Sequence, residues 1–252
     1  MAERPQRSWR GLLLPAMLAF AVLVGLGIWQ IERKAWKERL IASLTERLAA
    51  PPEALPPPAE WPHLDPADDE YRRVSFSAVF DYANEALVYG AASAFRPDVT
   101  GPGYWVFAPA RLVDGSIVMV NRGFVPEGRQ DRQLRATGEI SGPVAVMGVM
   151  RWPDNRYWFT PKDDPGHNLW FSRDPQAIAA AKGLTAVAPF YIEQETPVPP
   201  GGLPQPGKLA VSLPDNHLQY AITWFGLALA LAGVFAVWAF GGHRRTSIGQ
   251  RP

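Results

Sequence analysis

The chain has 252 residues, 47% of them hydrophobic, with 25 basic against 24 acidic side chains. That is enough apolar material for one sizeable domain plus extras, and it excludes disorder throughout. A formal charge of +1 gives no blanket reason to expect nucleic acid, whose binders usually carry a basic face, so no nucleic acid is expected as a partner. Cysteine is absent, which removes disulfides, thiolate metal sites, iron–sulfur clusters and thiol catalysis, and leaves His, Met or carboxylate for any metal.

After a short N-terminal stretch, 1–10, residues 11–31 run without a charge, from Gly11 to Ile31, between Arg10 and Glu32. At 1.5 Å per residue such a helix reaches roughly 30 Å, the thickness of a hydrocarbon core. The run is long for a signal-peptide core and meets Trp29-Gln30-Ile31-Glu32-Arg33 rather than a small-residue cleavage site, so an uncleaved anchor is expected. A second span is expected over 216–240, with an uncharged run from Tyr220 to Phe240, followed by the tail 241–252 carrying Arg244, Arg245 and Arg251. These basic residues put the tail, and with it the N-terminus, in the cytoplasm, and the central region in the periplasm of a bacterial inner membrane. The flanks of the first span are ambiguous alone, because Arg33, Lys34, Lys37 and Arg39 outnumber Arg4, Arg7 and Arg10. In the second span Ala228, Ala232 and Ala236 form a small-residue stripe for close helix approach, with Ala21, Gly25 and Gly27 of the first span as its expected partner.

Residues 32–50 hold helix formers without Gly or Pro, which predicts a helical extension of the first span. Pro51-Pro52 and Pro56-Pro57-Pro58 then predict a stiff linker over 51–68 and a domain over 69–196, with a second Pro-rich linker over 197–215. Of the 26 prolines 23 lie between residues 32 and 215, which argues against long helices there. Strands are predicted at Tyr71–Phe80, Ala86–Gly90, Tyr104–Leu112, Ile117–Asn121, Val144–Met150 and Phe190–Ile192. Val113-Asp114-Gly115-Ser116 is a hairpin signal and points to a mainly antiparallel sheet. Asp174 as cap, Pro175 at the first turn and Gly183 as terminator mark one helix. The predicted class is an α+β membrane protein: two transmembrane helices flanking a periplasmic, mainly antiparallel domain with one or two helices.

Signatures of a nucleophile elbow, a zincin and a phosphate-binding loop do not occur. Asp68-Asp69-Glu70 and Lys162-Asp163-Asp164 are expected as solvated surface, and no enzyme is indicated. His63, His167 and His243 lie in linker, polar loop and tail. His217 stands at the mouth of the second span, with Tyr220, Ala221 and Trp224 on the same helical face. Two readings stay open at this point: an iron-porphyrin ligand at the lipid edge, or an ordinary interfacial belt. Trp29, Arg33, Trp36 and Lys37 form a cationic, aromatic face at the same level, suited to porphyrin propionates or to plain anchoring.

Four segments carry a family resemblance. Gly27-Ile28-Trp29-Gln30-Ile31-Glu32-Arg33 with Trp36-Lys37 resembles the opening signature of the Surfeit-type cytochrome c oxidase assembly proteins. Val120-Asn121-Arg122-Gly123-Phe124-Val125-Pro126 is similar to the family's V-N-R-G-W-V-P segment, with Phe124 in place of Trp. Phe159-Thr160-Pro161 followed by Asn168-Leu169-Trp170-Phe171-Ser172-Arg173-Asp174 resembles its F-x-P and N-x-W-Y-x-R-D region. Asn216-His217-Leu218-Gln219-Tyr220-Ala221-Ile222-Thr223-Trp224-Phe225 matches the closing motif.

The resemblance implies a non-enzymatic assembly factor that binds haem a transiently and aids its insertion into oxidase subunit I, taking it from haem a synthase. Carried over, His217 is the iron ligand, while Trp224, Trp29 and Arg33 are expected to line the porphyrin or pair its propionates. Partners would be subunit I, haem a synthase and membrane lipid, and one histidine per chain would permit a site shared in a homo-oligomer. The rival reading is a structural scaffold for subunit I that does not touch haem, with Arg122-Gly123-Phe124, an exposed-looking strand end, as its contact; the favoured account of that segment is a turn needing Gly123, with Arg122 solvated or paired.

Overall fold

The computed structural model describes residues 10–90, 95–210 and 215–241, and it divides into two compact units. The basic flanks Arg4, Arg7, Arg244, Arg245 and Arg251, and His243, lie outside the described residues.

The first unit, residues 1–41 and 213–252, holds the two apolar segments. Helix α1 runs Arg10–Ala49 without interruption, and the helix that closes the chain runs His217–Gly241. Both are long and apolar enough to cross a membrane. They approach closely at Gly27, where an added Cβ would stand 2.7 Å from the Phe225 ring. Ala221 and Ala228 are buried beside this contact, seven residues apart and therefore on one face. The expected stripe is corrected in its register: Ala232 is exposed, as are Ala21 and Gly25, and the buried small residues are Gly27, Ala221 and Ala228. An aromatic ring seated on a glycine fixes this register, which a count of small residues alone does not reveal.

The second unit, residues 42–212, is built on a sheet of eight strands. These are β1 Glu53–Ala54, β2 Arg73–Phe80, β3 Ala86–Gly90, β4 Gly103–Arg111, β5 Ile117–Pro126, β6 Pro143–Arg151, β7 Leu169–Trp170 and β8 Val187–Thr196. Their order is β1-β2-β6-β8-β5-β4-β3-β7, and β2 also pairs with β4. The extra pairing closes β2, β6, β8, β5 and β4 into a circuit, which leaves fewer open sheet edges. Most pairs are antiparallel, but the central β5–β8 pair is parallel, as are β1–β2 and β3–β7.

Alternation along the strands fills two cores. Val118, Val120, Phe190 and Ile192 pack on one face with Val74, Phe80, Val146 and Met150. Met119 and Tyr191 point the other way and pack with Trp105, Phe107, Trp170 and Ile178. Complete burial of each such side chain contributes about 1.5–3 kcal/mol relative to exposure. The helix Pro175–Ala181 supplies Ile178 and is capped as its sequence predicts, with the Asp174 carboxylate accepting from Gln176 N and Ala177 N, both at 3.0 Å.

The Pro-rich stretch 51–68, expected as a linker, is instead built into the fold. Glu53 and Ala54 pair with β2, and Trp61 is buried edge-on against Phe190, ring centres 5.7 Å apart, its indole N–H donating to Pro56 O at 2.8 Å. Likewise Gln205, in the second Pro-rich stretch, bridges Phe124. Prolines remove backbone donors and stiffen the chain, which suits a strap laid over a sheet as well as a spacer.

Candidate functional site

The closing helix starts where Asp215 accepts the His217 backbone N–H at 2.9 Å, so His217 stands in the first turn. Its ring Nδ1 lies 2.7 Å from the side-chain oxygen of Gln30 on α1. An amide oxygen only accepts, so Nδ1 carries a proton, and in the neutral ring Nε2 keeps its lone pair. This is how ligating imidazoles are commonly held: the second nitrogen donates to an oxygen, which fixes both tautomer and ring plane. The contact also ties together segments 187 residues apart in sequence. One turn further, Ala221 is buried and presents only a methyl group. Thr223 returns its hydroxyl to Gln219 O at 2.9 Å and so keeps that polar group satisfied within the helix.

Other expected site residues are placed differently. Trp224 is half-buried, whereas Tyr220 is exposed. Trp29 is exposed, and Arg33 lays its guanidinium 3.9 Å over the Trp36 ring. Arg33 and Trp36 thus form a cation–π pair on α1, and among the described residues no hydrogen bond joins Trp29 or Arg33 to His217. Lys34, one turn beyond Gln30, pairs with Glu38. Gln30 is the residue that sequence reasoning passed over. Its signal was present: an uncharged polar side chain at the end of an apolar run, inside the motif that drew attention to its neighbour Trp29.

In the sheet domain the buried polar groups have structural tasks. Arg122-Gly123-Phe124, which looks like an exposed strand end in the sequence, is buried and Arg122 is paired, because β5 continues past Asn121 through Pro126 along β4, with Gln205 bridged to Phe124. Arg122 donates to Gly138 O at 2.6 Å, and its guanidinium lies 4.5 Å from the Tyr82 ring centre. Burial pushes that guanidinium below its usual pKa. Gly123 adopts φ +124°, and a Cβ there would fall 2.2 Å from the Gln205 backbone, so only glycine allows the bridge. Asn121 donates to both oxygens of buried Glu193, at 2.9 and 3.0 Å, and Arg135 pairs with buried Glu85.

The acidic clusters are not idle surface either. Asp69 pairs with Arg72, and Glu70 accepts from Arg151 at 3.0 Å. Asp163 accepts from Phe171 N at 2.7 Å and from Arg156 at 2.5 Å. His167 is exposed beside Asp164 at 2.7 Å. Among the described residues no group of three or more His, Asp or Glu side chains is arranged to hold a bare metal ion.

Comparison with known proteins agrees over the length of both units. The model of the SURF1 family matches residues 17–229. A SURF1-like protein of Monosiga brevicollis is 36% identical over 242 residues, which cover 91% of this chain and 88% of that protein. Surfeit locus protein 1 of Rattus norvegicus is 36% identical over 88% of this chain and 72% of its own length, and that of Homo sapiens is 34% identical over 88% and 74%. The chain therefore belongs to the SURF1 family.

Proposed function

We propose that this protein is an assembly factor for cytochrome c oxidase that binds haem a and aids its insertion into subunit I without catalysing a reaction. The observation that carries the haem reading is the His217–Gln30 hydrogen bond. It leaves one imidazole nitrogen with a lone pair, at the end of an apolar helix pair, in the tautomer an iron ligand needs. Ala221 leaves room beside it, and Trp224 offers an aromatic edge. The donor set fits a porphyrin iron better than a bare cation, since a single histidine supplies one axial bond and the macrocycle the rest. When bound, haem a supplies the oxidase's own redox chemistry; this chain's residues hold it and keep it from water. Burial of its hydrocarbon tail in the membrane would contribute ~0.8 kcal/mol per CH₂.

Trp29 and Arg33 belong to this reading in a reduced role. With Trp29 exposed on α1 and Arg33 laid on Trp36, they would meet a porphyrin only at its periphery, where Arg33 would pair a propionate. In the same reading the helices cross a bacterial inner membrane with both termini cytoplasmic and the sheet domain periplasmic. Haem a synthase would supply the cofactor and subunit I receive it.

The test is the pigment content of the full chain purified in mild detergent from cells that make haem a. Extracted haem a is expected in the wild type and, reduced at least tenfold, in His217→Ala. Colourless wild-type protein that still co-purifies with subunit I would overturn haem binding and leave a scaffold.

A further inference from the structure

The sheet domain exposes one strongly aromatic surface. Tyr157, Trp158 and Phe159 are 62%, 95% and 64% exposed. They are not a loose loop. Tyr157 N donates to Thr160 Oγ1 and Thr160 N to Tyr157 O, both at 3.0 Å, while Arg156 is fastened to Asp163 and to Pro161 O. The Tyr157 and Phe159 rings stack with centres 5.4 Å apart, and Trp158 stands edge-on to Phe159 at 5.5 Å. A second group, Tyr104, Tyr89 and Phe171, forms a ladder with centres 5.5 and 6.1 Å apart.

Between the two groups lies an open cavity of about 440 Å³, lined by Asp154, Asn155, Tyr157, Thr160, Phe171 and Ser172. Two features suggest an occupant. Ser172 is only 5% exposed, yet its hydroxyl has no hydrogen-bond partner, an arrangement that costs free energy unless something binds there. Asp154 is the one charged residue in the lining, and its carboxylate is half exposed. Arg156 is committed to Asp163, and Arg173, laid over the Trp105 ring at 4.7 Å, is ion-paired with Asp154 at 3.8 Å, which is beyond hydrogen-bond reach, so among the described residues the Asp154 carboxylate keeps its acceptor positions open.

We propose that this cavity receives the guanidinium of an arginine presented by a partner protein, with Trp158 and Phe159 as the apolar rim of the docking surface. A planar cation fits the lining: it can stack on Tyr157 or Phe171 and donate at once to Asp154 and Ser172. Preorganised tryptophan and tyrosine around a central charged anchor are the usual composition of an interface hot spot. The inference is independent of haem binding.

The full chain in detergent micelles, labelled with 5-fluorotryptophan, tests it. The Trp158 resonance is assigned by its loss in Trp158→Phe, and the remaining nine of the ten tryptophans report whether each variant is folded. Titration with N-acetyl-arginine methylamide is expected to shift that resonance saturably, whereas the citrulline analogue leaves it unmoved. Asp154→Asn and Ser172→Ala, with the other resonances in place, are each expected to raise the half-saturation concentration, Asp154→Asn at least tenfold. An equal response to citrulline, or in Asp154→Asn, would overturn the proposal. So would silence towards the arginine probe with broadening by spin-labelled lipid in nanodiscs, which would assign the aromatic rim to the bilayer.

Discussion

The helix pair and the sheet domain use polar residues in opposite ways. In the domain, charged groups such as Glu85, Arg135 and Glu193 are buried and answered by partners, so their chemistry is spent on holding the fold. In the helix pair most of the described surface is apolar and exposed, and the hydrogen bond of His217 with Gln30 joins the two segments. A polar group left over after structural demands are met is the better candidate for function, and among the described residues His217 Nε2 has no hydrogen-bond partner. The contrast explains why acidic clusters in the domain are poor candidates for catalysis even where they are dense.

The comparison can be broken most severely in the domain. Glu85→Ala leaves the Arg135 guanidinium buried and uncompensated, which is expected to cost about 3–5 kcal/mol. Thermal unfolding of the full chain should show the loss, while haem a content measured in the cold stays at the wild-type level; a parallel loss of pigment would mean that the two units are not separable in this way. In the helix pair, Gly27→Val places methyl groups where the Phe225 ring sits. Haem a content is expected to fall severalfold with the domain's melting midpoint unchanged. Gln30→Leu removes the acceptor for His217 Nδ1 and is expected to weaken haem a retention about tenfold, the low end of what loss of such a supporting hydrogen bond costs. Gln30→Glu, which keeps an acceptor, should restore most of it.

The smallest effect concerns pH. The Arg96 guanidinium holds the Asp98 carboxyl below its ordinary value of 3.8, through two hydrogen bonds of 2.8 Å. A carboxyl with a depressed folded pKa stabilises the fold above its unfolded value and loses that contribution as pH falls through the folded one. The domain should therefore lose stability below about pH 3.8, and the melting midpoint of Asp98→Asn should be lower at neutral pH and flatter across the acid range. Asp98 is half exposed, so the difference at neutral pH is expected to stay near 1 kcal/mol or less.

What was legible in the sequence was local. β3 was bounded correctly at Ala86–Gly90; the Asp-Gly hairpin folds with Asp114 accepting from Ser116 N at 2.9 Å; and Asp174 caps its helix. Each depends on residues within a few positions of one another. The parallel β5–β8 pairing and the full length of β5 were not legible, because strands buried on both faces lose their alternation and nothing local gives their direction. Trp61 read as linker because the prolines around it obscured its core partner Phe190, far along the chain. At the candidate site, helical spacing put His217 and Ala221 on one face and the family resemblance singled out His217, whereas the Gln30 hydrogen bond required the second helix to be in place.

The central claim is that His217 Nε2, freed by Gln30, holds iron. The most direct test is chemical rescue: His217→Gly purified from haem a-producing cells, with and without added imidazole, read by its reduced visible spectrum. The account predicts no haem a band without imidazole and its return with it. A His217→Gly protein that keeps a wild-type band without imidazole would contradict the claim.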